Sequence, residues 1–423
     1  MKFISQVTGL AIAGVLFSSN SSATTGYFMH AYGVKAQGNA GVSIAQFQDA
    51  LSIANNPAGL SWVGNRIDIG ASIFSPDRSA NITANITANQ LPNANGSYDG
   101  NGRAYFVLPE IALNHQINDQ VALGLAVYGN GGMNTGYQDN PFAAFGNRGT
   151  AGVDLTQVFV SPAVSWKYAA NQSVGVATNI LYQRFEARGI QGFAGFSSDA
   201  SNLSNRGKQS ATGLGARVGW SGIFFNDRLT LGASYASKIN ADRFDQYRGL
   251  FAEHGDFDVP ENYAVGAALK VSPQFTIAAD VQRINYSDVK SVGHSFDVGQ
   301  LQQGQLFGSP QGPGFGWKDI NVYKLGVSYQ AHPRLLLRAG YSHNDQPIPA
   351  QEVFLNILAP GVIQDHLSVG ATWDIDPHQE LSIAYTHALE NEVKGPISPA
   401  FGGGEAKIKM SQDILGIAYG YRF

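Results

Sequence analysis

The 423-residue chain reads as all-β, a fourteen-stranded antiparallel transmembrane β-barrel. Three features of the sequence point there. Segments of seven to nine residues alternate between a large apolar face and a small or polar one. The links between these segments are short and long in turn, and the chain ends on such a segment at Phe423.

In residues 415–423 the odd positions are Leu, Ile, Tyr, Tyr and Phe, and the even ones Gly, Ala, Gly and Arg. The same period of two sets Leu367, Val369, Ala371, Trp373 and Ile375 against Ser368, Gly370, Thr372 and Asp374. It also sets Tyr323, Leu325, Val327 and Tyr329 against Lys324, Gly326, Ser328 and Gln330. Successive side chains of a strand point to opposite faces. A soluble sandwich would bury the large residues and charge its outer face richly. Here the second face is mostly Gly, Ala, Ser and Thr with sparse charges, which suits a lumen, and the aromatics gather at strand ends like interfacial girdles.

Taken in order, residues 1–23 carry Lys2, an apolar run from Leu10 to Phe17 and Ser21-Ser22-Ala23. This is a secretory signal, excluded from the fold, and its apolar run is too short to span a bilayer. Residues 24–63 are a separate segment ahead of the strands. It opens on Gly26-Tyr27-Phe28, continues through the Gly- and Ala-rich stretch from Gly33 to Gly41, and closes on the turn Asn55-Asn56-Pro57-Ala58-Gly59. There Pro57 fixes φ and lacks a donor, the asparagines can bond their own backbone, and Gly59 tolerates positive φ. Residues 64–423 make the barrel, with strand cores at 67–73, 107–115, 121–128, 160–168, 174–182, 214–220, 229–235, 263–271, 275–281, 323–329, 335–341, 367–375, 381–389 and 415–423.

An even strand count lets both ends of the sheet meet on one side, and closure leaves no unpaired edge in lipid. The short links, among them Asn118-Asp119, Asn226-Asp227 and Ser272-Pro273, are built of turn residues. The long ones exceed what a compact domain tolerates without structure of its own. Short turns therefore belong to the periplasm and long loops to the exterior. The terminal Phe423, with hydrophobic residues at every second position back to Leu415, fits a signal read by the outer-membrane assembly machinery.

A formal charge of -4 gives no footprint for nucleic acid. The absence of cysteine removes disulfides, thiolate nucleophiles and cysteine-ligated zinc. Enzyme motifs are weak: residues 213–219 imitate a dinucleotide glycine loop, but the third glycine is one place late and the segment alternates as a strand. His294-Ser295 lacks a third triad member, and the histidines show no metal-ligand spacing. No enzyme activity, metal or cofactor is expected.

Strand parity turns Asp68, Glu110, Lys167, Arg217, Lys270, Asp280, Lys324, Arg338 and Asp374 inward. So many ions need partners or water, and anchoring the N-terminal segment, residues 24–63, inside the barrel is their expected role. The external loops are rich in apolar residues, with Phe193 and Phe196 in one, Phe251 in the next, and Phe354 in a run (residues 353–358) that could form a short helix. Such patches either pack the loops together or mark a binding surface for apolar ligands.

Asn56-Pro57-Ala58, at the end of this Gly-aromatic and Gly/Ala-rich segment, resembles the N-terminal hatch of the FadL/TodX family. Members of that family carry long-chain fatty acids or aromatic hydrocarbons across the bacterial outer membrane. The resemblance spans the mature chain. It implies that residues 24–63 form an N-terminal hatch (plug) in the lumen of the fourteen-stranded antiparallel transmembrane β-barrel, and that the protein is a multi-pass monomer in the outer membrane, among its lipid and lipopolysaccharide. It further implies capture of hydrophobic molecules by the external loops (Phe193, Phe196, Phe251, Phe354), transfer to a pocket beside the N-terminus where Tyr27 and Phe28 stand, and sideways release at the third strand. A general porin for polar solutes, a lipid-acting barrel enzyme or an adhesin are the competing expectations.

Overall fold

The structure is a computed structural model that describes residues 25–86 and 94–423; the secretory signal falls outside the described residues. Its strands are β1 (Arg66–Thr83), β2 (Gly96–Asp99), β3 (Phe106–Gln116), β4 (Val121–Asn134), β5 (Gly152–Ala169), β6 (Gln172–Arg188), β7 (Gln209–Phe224) and β8 (Leu229–Ala236). They continue with β9 (Asn262–Lys270), β10 (Phe275–Ile284), β11 (Ile320–His332), β12 (Leu335–Asn344), β13 (Asp365–Asp374), β14 (Gln379–Pro396) and β15 (Glu405–Arg422). β2 is a flap paired only with the outer part of β1. The other fourteen pair antiparallel in chain order, and β15 returns to β1, from Arg66↔Arg422 to Thr83↔Glu405, so that the ring closes. Each strand core expected from the sequence lies in its own barrel strand, with Val271, Ile375 and Phe423 just past the ends of theirs.

The lipid-facing positions are the large ones: Ile69, Val107, Val265, Leu325, Val369 and Ile417 are all exposed on the outer wall. Exposed Trp166, Tyr168, Tyr329, Trp373 and Tyr421 cluster near the short turns, and Tyr235, Tyr263, Tyr323, Tyr341 and Tyr385 toward the long loops, the two girdles of a membrane barrel.

One difference concerns the last hairpin. The alternation that marks a lipid-facing strand stops at Leu389, yet β14 runs on to Pro396 and β15 begins at Glu405. Above the membrane the two faces exchange character. Ala406 and Ile408 are buried inside, while outward Lys407 and Lys409 pair across the ladder with Glu392 and Glu390 at 3.2 and 2.8 Å. In water a strand needs no apolar exterior, so the membrane pattern is absent there.

Residues 25–63 lie inside the ring as three short helical turns, Val34–Gln37, Ser52–Asn55 and Pro57–Ser61, joined by extended chain. The inward charges hold them. Glu110 accepts from the backbone N–H groups of Gly33 (3.2 Å) and Val34 (2.9 Å), and Asp280 from those of Ser43 (2.7 Å) and Ile44 (3.0 Å). Asp68 accepts from Ala50 N–H at 2.9 Å. Lys324 donates to the His30 carbonyl at 2.8 Å and Arg217 to that of Asn55 at 3.3 Å. Arg338 donates to the Gln48 side chain, and Lys35 pairs with Glu380, which also binds Arg66 and Arg422. Lys167 sits over the Trp62 ring at 4.5 Å, and Asp374 meets Arg422 at 2.7 Å. Lys270 departs from the expectation: it ends β9 at the periplasmic rim and is exposed.

The small residues of the inner face have a second use. A Cβ at Gly175 would lie 2.3 Å from the Pro57 carbonyl carbon, and one at Gly219 would lie 2.0 Å from Asn56 Oδ1. Glycine at both places lets the turn lie flat on the wall.

Candidate functional site

The chain enters the lumen at a tight turn in which Thr25 and Phe28 exchange backbone hydrogen bonds. Tyr27 and Phe28 are buried and form part of an aromatic knot. The Tyr27 ring lies 5.1 Å from Tyr286, 5.9 Å from Phe257 and 6.0 Å from Trp317, and Phe28 lies 5.8 Å from Tyr286. The hydroxyl of Tyr286 donates to the Thr25 carbonyl and accepts from the N–H groups of Tyr27 and Phe28. Burial, the leading cause, pushes its phenol well above the ordinary value, against the two N–H bonds it accepts, which act the other way. Beside Gly26 lies a small pocket lined by Pro76, Met133, Trp317, Pro360 and Met410, with the buried Arg78 at its edge.

The loop aromatics chosen from sequence fall into two groups. Phe193, Phe196 and Phe354 converge on Phe401 of the last external loop, with ring centroids 5.8, 5.8 and 5.4 Å away. Phe354 lies on the helical turn Val353–Asn356. Phe251 instead packs on Phe185 (4.6 Å) and Phe257 (4.9 Å). Phe257 touches Tyr27, so Phe251 joins the N-terminal knot and the other three form a separate lid above it. The loops thus pack their apolar side chains on each other, each such pair contributing about 0.5–1.5 kcal/mol beyond burial. Tyr286, Trp317 and Phe401 were not selected from the sequence. Loop aromatics carry no periodic signal, even where they sit close to a strand, as Tyr286 does two residues after β10 and Trp317 three residues before β11.

The hatch motif lies at the opposite end of the lumen. Asn56 Oδ1 accepts from Ala58 N–H at 3.1 Å, and its amide donates to the carbonyls of Ile44 (2.8 Å) and Trp220 (3.0 Å). The Ala58 carbonyl accepts from Ser165 (3.1 Å) and Ser173 (3.0 Å), on β5 and β6. Pro57 starts the turn with its fixed φ. Asn56, Pro57 and Ala58 are all buried and make no contact with the aromatic knot among the bonds described.

A break in the wall completes the geometry. The β3–β4 ladder runs from Gln116↔Ala122 only to Ile111↔Val127. Beyond it β3 has Pro109, which has no N–H to donate, and β4 has a bulge between Gly129 and Gly131. The freed edge of β4 bonds to the N-terminus instead: Met29 N–H donates to the Asn130 carbonyl at 3.0 Å, and Gly132 N–H to the Tyr27 carbonyl at 2.9 Å. A small pocket lies at this gap, bordered by Met29, Tyr32, Leu108, Pro109, Tyr128 and Gly129.

The His294-Ser295 pair is not a catalytic dyad in this geometry: His294 Nδ1 lies 2.9 Å from the Gly312 carbonyl, and Ser295 donates to Glu352.

Residues 14–423 match the family model for outer membrane protein transport proteins (OMPP1/FadL/TodX). The outer membrane protein designated NMB0088 of Neisseria meningitidis serogroup B is 25% identical, with 97% of each chain covered. The long-chain fatty acid transport protein of Salmonella typhi is 23% identical over 82% of this chain and 84% of its own. Among solved structures, a Pseudomonas aeruginosa FadL homologue superposes with a TM-score of 0.72 at 16% identity, covering 94% of this chain and 100% of that one. The toluene transporter TodX of P. putida gives 0.66 at 17% identity, covering 93% and 99%. A closed fourteen-stranded barrel with two aromatic girdles, matched along nearly its whole length, therefore belongs to the OMPP1/FadL/TodX family of outer-membrane transport proteins.

Proposed function

We propose that this chain takes up small hydrophobic molecules, long-chain fatty acids or aromatic hydrocarbons, and releases them sideways into the membrane. The cargo is captured among the loop aromatics around Phe193, Phe196, Phe354 and Phe401. It then passes to the knot of Phe251, Phe257, Tyr27 and Phe28, and leaves through the gap between β3 and β4. The hatch, residues 24–63, closes the aqueous path to the periplasm. The protein needs no cofactor and performs no chemistry.

The observation that carries this reading is the interrupted β3–β4 ladder, whose inner mouth is bordered by Met29 and Tyr32, close to the aromatic site. An opening toward lipid spares an apolar cargo the water of the periplasm, a saving of about 0.8 kcal/mol per CH₂. The names of the relatives point the same way, since they transport long-chain fatty acids or toluene.

The gap can be filled directly. A Cβ at Gly129 meets nothing within 4 Å, so Gly129→Phe places a ring in the opening with no backbone clash at its root. Cells carrying this variant should lose uptake of labelled dodecanoic acid or toluene at least tenfold while the barrel assembles normally. Wild-type uptake by an assembled Gly129→Phe protein would refute lateral release.

A further inference from the structure

A line of buried polar side chains crosses the inner wall above the gap. The Tyr32 hydroxyl, on the hatch, donates to Asn130 Oδ1 at 2.8 Å. The Asn130 amide donates to Gln157 Oε1 at 3.0 Å, the Gln157 amide to Gln183 Oε1 at 3.0 Å, and the Gln183 amide to the backbone carbonyl of Phe257 at 2.8 Å. Asn130 sits within the β4 bulge, Gln157 on β5, Gln183 on β6, and Phe257 in the loop before β9. All but Tyr32 are almost fully buried.

This chain is directional. Every amide spends a donor on the next member, so each carboxamide is fixed in orientation by its neighbour, and a displacement at one end breaks a bond inside the protein where water cannot replace it. Its two ends matter in different ways. Phe257 packs between Phe251 and Tyr27, so an apolar molecule wedged among these rings must move the residue whose carbonyl holds Gln183. At the other end Asn130 belongs to the freed edge of β4, and its own carbonyl accepts from Met29 N–H.

We infer that Gln157 and Gln183 are positioning residues that couple occupancy of the Phe251–Phe257–Tyr27 site to the β4 bulge at the lateral gap. The inference rests on the uptake function proposed above, to which it adds a physical link between capture and release. With the site empty the chain holds Asn130 and the bulge against the hatch. When cargo displaces Phe257, the Gln183 bond is lost, Gln157 and Asn130 are freed in turn, and the gap widens.

The lack of native cysteine makes the test clean. A single Gly129→Cys reporter, at the open position of the gap, is labelled by a membrane-permeant maleimide in detergent-solubilised protein, with and without dodecanoic acid. Binding of dodecanoic acid, the probe in both measurements, is followed by isothermal titration calorimetry. In the reporter background the probe should raise the labelling rate at least fivefold. Adding Gln183→Leu, which keeps the volume and removes both links, should reduce this response to under twofold while probe affinity changes by less than threefold. Gln157→Leu should do the same. If either leucine variant fails to assemble, Gln183→Met serves: it keeps the length and volume of the side chain but has no N–H to donate to Phe257. A fivefold response retained in the assembled variants, or no response in the reporter alone, would overturn the coupling. Loss of uptake by Gly129→Phe alongside a retained response would leave the proposed function standing and this inference refuted.

Discussion

Removing one hatch anchor should convert a sealed barrel into a leaking one by an amount that follows from two hydrogen bonds. Glu110 receives the N–H groups of Gly33 and Val34, where the hatch backbone turns through Gly33 at φ 94° into the helical turn Val34–Gln37. Glu110→Ala leaves both donors without that acceptor. Bonds to a charged group contribute about 1.5–3 kcal/mol each, and the lost burial cost of the carboxylate itself offsets part of the total. A net loss of about 2–4 kcal/mol raises the undocked fraction of the hatch about 30- to 700-fold, at 1.4 kcal/mol per factor of ten. Planar-bilayer recording reads this as the frequency of open-channel events. Glu110→Gln, which keeps one acceptor oxygen without the charge, should fall between the two. An opening frequency for Glu110→Ala within threefold of wild type would show that these bonds do not hold the hatch.

Three further outcomes are expected. Replacing Asn56 and Pro57 together by Ala removes three side-chain hydrogen bonds and the fixed φ of the turn, so ion leak should rise about tenfold or more with little change in probe affinity. Tyr27→Asp with Phe28→Asp places carboxylates in the aromatic knot at a cost of several kcal/mol. Probe affinity and uptake should collapse, and unchanged affinity would remove these residues from the site. Acidification should loosen the hatch through His30, which stacks on His366 at 5.1 Å and whose carbonyl faces Lys324. Burial first, then the His366 and Lys324 charges, hold its pKa well below the ordinary value. The docked form therefore binds fewer protons than the undocked one, and docking weakens as pH falls below about 6.5, by at most about 1.4 kcal/mol per unit. Asp49 acts with the opposite sign, being pushed up to about 6 by burial and then by Asp68. The His30 contribution is thus read as the leak difference between wild type and His30→Asn from pH 7 to pH 5, and identical curves would exclude it.

The strands were legible because a barrel wall separates two solvents. Lipid demands the large residues of Leu367, Val369 and Ile417 on one side, and the lumen permits only small or anchoring ones on the other. The same parity exposed Glu110, Asp280, Lys324 and Arg217, since a charge inside must have a partner. Lys270 obeys the parity but lies beyond the hatch, a distinction of height along the strand that alternation does not encode. The inner glycines looked like mere lumen lining, whereas Gly175 and Gly219 are seats for Pro57 and Asn56. The grouping of Phe251 with Tyr27, apart from Phe193, Phe196 and Phe354, depends on how separate loops fold over one another, and no local pattern records that. The gap left a faint trace, Pro109 in one strand and Gly129-Asn130-Gly131-Gly132 in the next, visible as punctuation but not as an opening. Gln157 and Gln183 lie just outside the strand cores that alternation marks, and their shared chain to Phe257 leaves no pattern in the sequence.

Lateral release is tested most directly by asking which wall the cargo touches on its way out. A photoreactive phenylalanine analogue at Leu108, beside the gap, and another at Trp62, at the periplasmic end of the hatch, can each be activated during uptake of radiolabelled dodecanoic acid. Label should attach at position 108 and not at 62, and attachment at 108 should disappear when Gly129→Phe fills the opening. Label at 62 with none at 108 would mean that the cargo passes through the hatch into the periplasm, contrary to the route proposed.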